Sequence, residues 1–338
     1  MKFGAVPTKN AAGAILAHSM AVPSGRISKG TLLMADHLEV LTKAGHDSVT
    51  VARLEAHDVE ENAAATTLAQ ALVPDPQGQH LRVAAAGAGR VNLYAVGPGI
   101  VDLDEGRIHQ INASDPMITI ATLPPFARVD PGTMVATIKI IAYAVPQSAL
   151  QTATDQADGA IRVQPPVFDR AMLIETQVGS ESPPDKGYRS MAERLDRLGL
   201  ELADRVVVPH AIEPLSDAVD QYRGDVLFLL TASATSDTYD VAPEAVRQAG
   251  GVVTAYGMPV DPGNLLFFGK LDHKPVIGLP GCARSPALNG ADWVLERLLC
   301  GQALDQSDIA LMGVGGLLKE IPTRPRPRRA RMAESQDT

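Results

Sequence analysis

The second half of the chain alternates short apolar runs with stretches whose apolar residues recur every three or four positions. This alternation predicts strands followed by amphipathic helices. The predicted strands lie at 171–176, 205–208, 225–230, 252–256 and 275–279. The run at 225–230, DVLFLL, is typical of a strand at the centre of a parallel sheet. We therefore expect an α/β domain over 163–318, with three layers and a mostly parallel sheet.

The first half follows a different pattern. Residues 80–147 hold short β-branched runs between Gly and Pro turns, which predicts a small barrel or an open antiparallel sheet. Residues 1–75 mix short strands with two predicted helices. We expect a small α+β segment over 1–75 and a β-rich domain over 76–150, so that a β-rich α+β region precedes the α/β domain. The polar, Ala-rich residues 148–162 mark the boundary.

Composition limits the class of protein. Hydrophobic residues make up 45% and aromatic residues 4%, which suits a core of small side chains, and the net charge of -9 argues against a general nucleic-acid binder. No apolar run approaches the ~20 residues that span a bilayer. Cys282 and Cys300 show neither metal-site nor disulfide spacing. We expect a cytoplasmic protein without a membrane anchor.

The end of the chain, residues 319–338, carries the basic run RPRPRRAR at 324–331. Such a run is usually solvated and disordered, and we favour that interpretation. A tether to an acidic partner is the alternative.

One candidate site is the loop 231–240, which follows the predicted central strand. Ligands of doubly wound sheets bind beyond the carboxyl ends of the strands. This loop carries hydroxyls and carboxylates, namely Ser233, Thr235, Ser236, Asp237 and Asp240. Asp240 is a good helix N-cap, and helix N-termini also bind anions. A polar turn with a cap and a ligand site both fit this pattern, and Asp240 could also hold a magnesium ion, which prefers oxygen ligands.

A second candidate is the loop 280–290, after the predicted strand 275–279. Gly281 permits a tight turn. Ser285 and Pro286 would be the N-cap and first residue of a helix at 285–299. The helix dipole disfavours a cation such as Arg284 at that end, and a bound anion would resolve the conflict. An ordinary capped helix is the alternative.

Three ordered segments resemble a known family. They are TASATSDTYDVAPEA at 231–245, GMPVDPGNLLFFG at 257–269 and PVIGLPGCARSPALNGADWVLERL at 275–298. The resemblance is to the molybdopterin-binding domain shared by molybdopterin adenylyltransferase, molybdenum insertase and gephyrin, and it covers about 165–300. The whole chain is also similar to a bacterial subgroup, through AVPTKNAAGAILAHSM at 5–20 and KIIAYAVP at 139–146. Many of those chains continue into a cytidylyltransferase-like domain, whose Gly-rich nucleotide loop is not found here.

The resemblance implies binding of molybdopterin or a molybdenum-cofactor precursor. It implies cofactor-binding roles for Ser233, Thr235, Ser236, Pro262, Gly263, Gly281, Arg284 and Ser285. Asp240 and Asp237 would be catalytic, with Asp240 holding the metal. The corresponding activities are adenylyl transfer, with magnesium and ATP, or metal insertion.

Two departures from the family pattern favour a non-catalytic alternative, in which the domain serves a nucleotidyltransferase or a molybdoenzyme partner. Ala232-Ser233 replaces a double glycine, and a Cβ crowds the approach of a phosphate. His210 stands where the adenylyltransferase branch has an acid, although Glu213 follows one helical turn later. By the same analogy we expect a homo-oligomer.

Overall fold

The computed structural model describes residues 1–318. The basic run at 324–331, for which disorder is predicted, lies outside the described residues. The chain forms two compact units. The first holds Met1–Val167 and Arg197–Gly199, and the second holds Phe168–Asp196 and, among the described residues, 200–318. Among the described residues, no helix is long and apolar enough to cross a membrane.

The first unit contains many short strands and four described helices. The strands are β1 (Lys2–Pro7), β2 (Ile15–Leu16), β3 (Met20–Val22), β4 (Gly25–Ile27), β5 (Ser48–Arg53), β6 (Asp58–Glu60), β7 (Leu81–Val83), β8 (Arg90–Ala95), β9 (Gly99–Leu103), β10 (Ile118–Thr122), β11 (Arg128–Val129), β12 (Met134–Ile140), β13 (Ala144–Pro146) and β14 (Ile161–Gln164). The helices are α1 (Ala35–Lys43), α2 (Glu61–Leu72), α3 (Glu105–Ser114) and α4 (Gln147–Asp155).

The strands of the first unit form small antiparallel sheets. β5 lies between β1 and β2, and a larger sheet has the order β10-β12-β8-β7. The buried face of α2, with Leu68 and Leu72, shares a core with Val91 and Ile138 of that larger sheet. The predicted subdivision at residue 75 stays a prediction, and this core holds residues from both sides of that position.

The second unit contains longer strands that alternate with helices. The strands are β15 (Arg170–Gln177), β16 (Glu201–Pro209), β17 (Val226–Leu230), β18 (Val252–Tyr256), β19 (Phe267–Leu271) and β20 (Lys274–Leu279). The helices are α5 (Lys186–Asp196), α6 (Ile212–Asp220), α7 (Val241–Gln248), α8 (Gly290–Leu299) and α9 (Gln306–Leu311). The unit is therefore mixed α/β, as the alternation predicts.

These six strands form one sheet with the order β16-β15-β17-β20-β19-β18. The first four run parallel, and β19 and β18 continue the sheet antiparallel. Every residue of β17 is buried, so the prediction of an interior strand at DVLFLL is confirmed. Its Leu227 and Leu229 share a hydrophobic core with Leu215 of α6 and Val246 of α7.

Candidate ligand-binding site

The loops that follow β15, β16, β17 and β20 leave the same edge of the sheet, because these four strands are parallel. Hydrogen bonds connect the ends of three of them. The Thr176 hydroxyl lies 2.9 Å from Nδ1 of His210 and accepts a hydrogen bond from the backbone N–H of Ala232 at 2.8 Å. The structure therefore places the predicted loop 231–240 at the carboxyl edge, where ligands of α/β sheets bind.

Asp240 caps helix α7, as the sequence predicts. Its Oδ1 accepts from the backbone N–H of Val241 at 2.7 Å, and its Oδ2 accepts from that of Ser236 at 2.8 Å. Burial alone would raise the pKa of Asp240. The hydrogen bonds from Ser236 and Val241, helped by the charge of His210, outweigh it, so that the pKa lies below the ordinary value. Asp240 therefore carries a negative charge at neutral pH.

The remaining predicted residues of this loop divide into exposed and buried groups. Ser233, Ser236 and Asp237 are exposed, and Thr235 is buried. The Thr235 carbonyl accepts a hydrogen bond from the hydroxyl of Tyr256 at 3.1 Å. Burial, followed by the charges of Asp237 and Asp240, raises the pKa of Tyr256, which therefore remains a neutral donor.

Arg284 joins the second predicted loop to the first. Its Nη2 donates to the backbone carbonyl of Thr231 at 2.6 Å. Gly281 is exposed. It lies beside the same guanidinium, since a Cβ built on it would be 3.6 Å from Nη1 of Arg284. The side chain of Arg284 therefore links the loop after β20 to the loop after β17.

The prediction of a helix beginning at Ser285 is wrong. Residues Gly281–Arg284 form a single 3-10 turn, and α8 begins only at Gly290. Asn289 is the N-cap, because its side chain accepts from Ala291 while Asp292 accepts from the Asn289 backbone in a capping box. The expected conflict between Arg284 and the helix dipole is also wrong, because four residues lie between Arg284 and the cap and Arg284 donates to the Thr231 carbonyl.

Pro262 and Gly263 lie against the start of α8. The Pro262 carbonyl accepts from the backbone N–H of Gly290 at 2.8 Å. A Cβ built on Gly263 would lie 2.7 Å from that same nitrogen. This contact and the capping box occupy the first N–H groups of α8, so an anion cannot bind there without displacing them. Both residues therefore have a structural function at this helix terminus.

Sequence reasoning missed Arg194, which fixes the conformation of the second loop. This side chain is 8% exposed and forms an ion pair with Asp292 at 2.5 Å. It also donates to the carbonyls of Ala283, Ser285 and Ala287. The signal in the sequence is its position on the buried face of α5, with Gly187, Ser190, Met191 and Leu195.

Glu175 was missed as well, and it lies at the end of β15. Its side chain is 1% exposed, and its Oε2 accepts from Nε of Arg205 at 2.6 Å. Arg205 also binds Asp185 and the Pro183 carbonyl, so the pair holds the loop between β15 and α5. The other oxygen, Oε1, has no hydrogen-bond partner within the described part of the chain.

The described residues do not form a dedicated metal centre. Within residues 1–318, no group of three or more His, Cys, Asp or Glu side chains could hold a metal ion. Both oxygens of Asp240 accept backbone hydrogen bonds, and Oδ1 of Asp237 accepts from Tyr239 at 2.8 Å. Because these carboxylates are engaged with their own loop, they do not fit a magnesium site.

Comparison with known proteins finds a partial family match and similar solved structures. A family model described as a domain of unknown function, DUF8806, matches residues 5–53. No curated protein matches the chain.

Among solved structures, the chain is similar to a molybdopterin biosynthesis moeA protein from Pyrococcus horikoshii, at 14% identity and a TM-score of 0.30, covering 88% of this chain and 75% of that one. It is also similar to a molybdenum cofactor biosynthesis protein from Pyrococcus furiosus, at 12% identity and a TM-score of 0.24, covering 90% and 66%. These values are too low to carry an activity over to this chain.

Proposed function

We propose that the second unit binds molybdopterin, or a precursor of the molybdenum cofactor, where the loops 231–240 and 281–285 meet. The observation that carries this proposal is the bond from Arg284 to the Thr231 carbonyl. It places a guanidinium with further donors at the carboxyl edge of the sheet, next to exposed Gly281. A guanidinium is suited to the phosphate of a phosphorylated pterin, which it binds through paired donors.

The composition of the two loops supports the same ligand. Ser233 and Ser236 offer exposed hydroxyls, which can both donate to and accept from polar groups of a pterin. The three segments that resemble molybdopterin-binding domains contain both loops. Under this proposal the second unit is a three-layer domain of that type.

We further propose that this unit holds or delivers the pterin rather than modifying it. Asp240 and Asp237 are engaged in local hydrogen bonds, and His210 replaces the acid of the adenylyltransferase branch. A nucleotidyltransferase or a molybdoenzyme in the cytoplasm would then be the partner. Magnesium-dependent consumption of ATP in the presence of molybdopterin would instead identify an adenylyltransferase, with Asp240 in a metal-binding function.

Replacing Arg284 tests the site. Charge-assisted hydrogen bonds contribute about 1.5–3 kcal/mol, so Arg284→Ala should weaken molybdopterin binding roughly tenfold or more. Anaerobic calorimetric titration measures this loss. The matched control is Arg223→Ala, because Arg223 is an exposed arginine just before β17, at the opposite edge of the sheet.

Thermal melting of both variants separates binding from folding. Equal affinity in the wild type, Arg284→Ala and Arg223→Ala would show that the ligand binds elsewhere. No binding to the wild type would refute the proposed function itself.

A further inference from the structure

The first unit contains a cleft that the proposed function does not use. Its volume is about 490 Å³, within the range of roughly 300–1,000 Å³ typical of small-molecule sites. Four separate segments of the chain line it: Lys29, Gly30 and Thr31; Glu61 and Asn62; Ala88; and Lys139, Ile141 and Tyr143. A cleft assembled from distant segments holds its lining groups in fixed relative positions.

One wall of the cleft is a rigid polar network. The ammonium group of Lys139 donates to the Ala88 carbonyl and lies 3.5 Å from Oε2 of Glu61. Asn62 accepts from the backbone N–H of Gly89 at 2.9 Å. Ala88 has φ of 49°, in the left-handed region that non-glycine residues seldom occupy. The side chains that bind this turn hold it in that conformation, so Lys139 is positioned before any ligand arrives.

The lining also carries a cation, Lys29, that has no carboxylate partner among the described residues. Glu61 balances the charge of Lys139, but within residues 1–318 no carboxylate lies in ion-pair distance of Lys29. Lys29 is exposed, and its ammonium group is free to bind a ligand. The cleft therefore has a net positive lining.

The cleft also has an apolar side. Ile141 is an apolar side chain that is 56% exposed, directly after the last residue of β12. Tyr143 donates its hydroxyl to the Ala17 carbonyl at 3.0 Å, so its ring is fixed in the wall of the cleft. A flat apolar group would cover both side chains.

We propose that this cleft binds a small organic phosphate, with the phosphate between Lys29 and Lys139 and an apolar group against Ile141 and Tyr143. A phosphomonoester carries nearly two negative charges and three acceptor oxygens, enough for two ammonium groups. A carboxylate has fewer acceptors and only one charge, so it satisfies a single lysine.

The test is calorimetric titration of phenyl phosphate into the full chain at low salt. Phenyl phosphate should bind in the millimolar range, while benzyl alcohol, which lacks the phosphate, should give no saturable heat. Lys29→Gln should weaken binding about tenfold. Lys43→Gln is the matched control, because Lys43 is an exposed lysine that pairs with Glu39 on α1.

The Arg284→Ala background separates this cleft from the proposed pterin site. Phenyl phosphate should still bind to the Arg284→Ala variant, and adding Lys29→Gln to that variant should still reduce the affinity for phenyl phosphate. In both backgrounds, bound phenyl phosphate should protect Lys29 and Lys139, but not Lys43, from acetylation measured by mass spectrometry. Absence of saturable binding, equal affinity in Lys29→Gln and Lys43→Gln, or binding that disappears with Arg284 alone would each overturn the proposal.

Discussion

Asp240 connects two parts of its loop through a single carboxylate. One oxygen caps α7 through Val241, and the other holds the backbone of Ser236. The same group therefore sets the start of the helix and the shape of the loop that precedes it. Asparagine can replace one of these acceptors, because its amide has one oxygen, whereas alanine replaces neither.

We predict that Asp240→Ala lowers the free energy of unfolding by about 1 kcal/mol or more, and that Asp240→Asn lowers it less. The folded pKa of Asp240 is lowered, so its contribution is fully present above the unfolded value of about 3.8. It is lost as the pH falls through the folded pKa. Urea unfolding of the wild type and Asp240→Asn should therefore show a difference at pH 7 that shrinks toward pH 3. A difference that grows with acid would contradict this assignment.

Arg194 is a buried cation whose donors are used by one carboxylate and several carbonyls. We predict that Arg194→Met lowers the free energy of unfolding by about 3–5 kcal/mol, because Asp292 then remains buried without its partner. Chemical denaturation measures this loss. Asp292→Asn in the same protein should recover part of it, and a double variant no more stable than Arg194→Met would rule out this cause.

Single side chains with a strong local signal could be predicted from the sequence, whereas their partners could not. Asp240 was identified as a cap, since the residue type and its position before an amphipathic helix suffice. Glu175 and Arg205 were missed because they lie on two different strands, and only the register of β15 with β16 brings them together. The sequence predicts Arg284 as a binding residue. The hydrogen bond from Arg284 to Thr231, however, depends on the neighbouring positions of β17 and β20 in the sheet.

The position of α8 depends on a close contact between two glycines. Gly263 has φ of 141°, and any Cβ there would overlap the backbone of Gly290. The turn and the first residue of the helix can therefore approach each other only without side chains. This contact, together with the Asn289 cap, fixes where the helix begins.

We predict that Gly263→Ala destabilises the protein by more than 1 kcal/mol, through both the strained φ and the overlap with α8. Gly281→Ala is the matched control, because a Cβ there meets no atom closer than 3.6 Å. Thermal unfolding of the two variants measures the difference. Equal melting temperatures would show that the turn moves away from the helix without cost.

Elements with a regular pattern were predictable, and elements defined by their surroundings were not. The apolar run of β17 and the alternation of strands with amphipathic helices followed from hydrophobic periodicity. β19 was missed because FFGKL is short and has no flanking helix, so it reads as part of a turn-rich segment. The start of α8 was misplaced because Ser285-Pro286 and Asn289-Gly290 are both acceptable helix starts locally, and only packing against Pro262 selects the second.

At the scale of the whole molecule, the chain divides into two units with different construction. The first is a set of small antiparallel sheets, and the second is one six-stranded sheet with helices. The main division between the two units lies near residue 167, and the sequence-predicted domain bounds stay predictions. Assembly with other chains does not follow from this pattern, because an interface is a property of surfaces and not of periodicity.

We predict a homo-oligomer, a dimer or a trimer, by analogy with molybdopterin-binding proteins and because soluble oligomers are mostly symmetric. Light scattering coupled to size-exclusion chromatography measures the mass directly. A monomeric mass over a wide concentration range would refute the prediction.

The interior position of β17 also has a consequence for synthesis on the ribosome. β15 is made before β17, whereas its other neighbour, β20, emerges only after α7, β18 and β19. Ribosomes add roughly 5–20 residues each second, so this apolar strand waits for several seconds with one edge unpaired. An unpaired hydrophobic edge is a template for association with other nascent chains. Production of the protein should therefore depend on chaperones that cover such strands during translation.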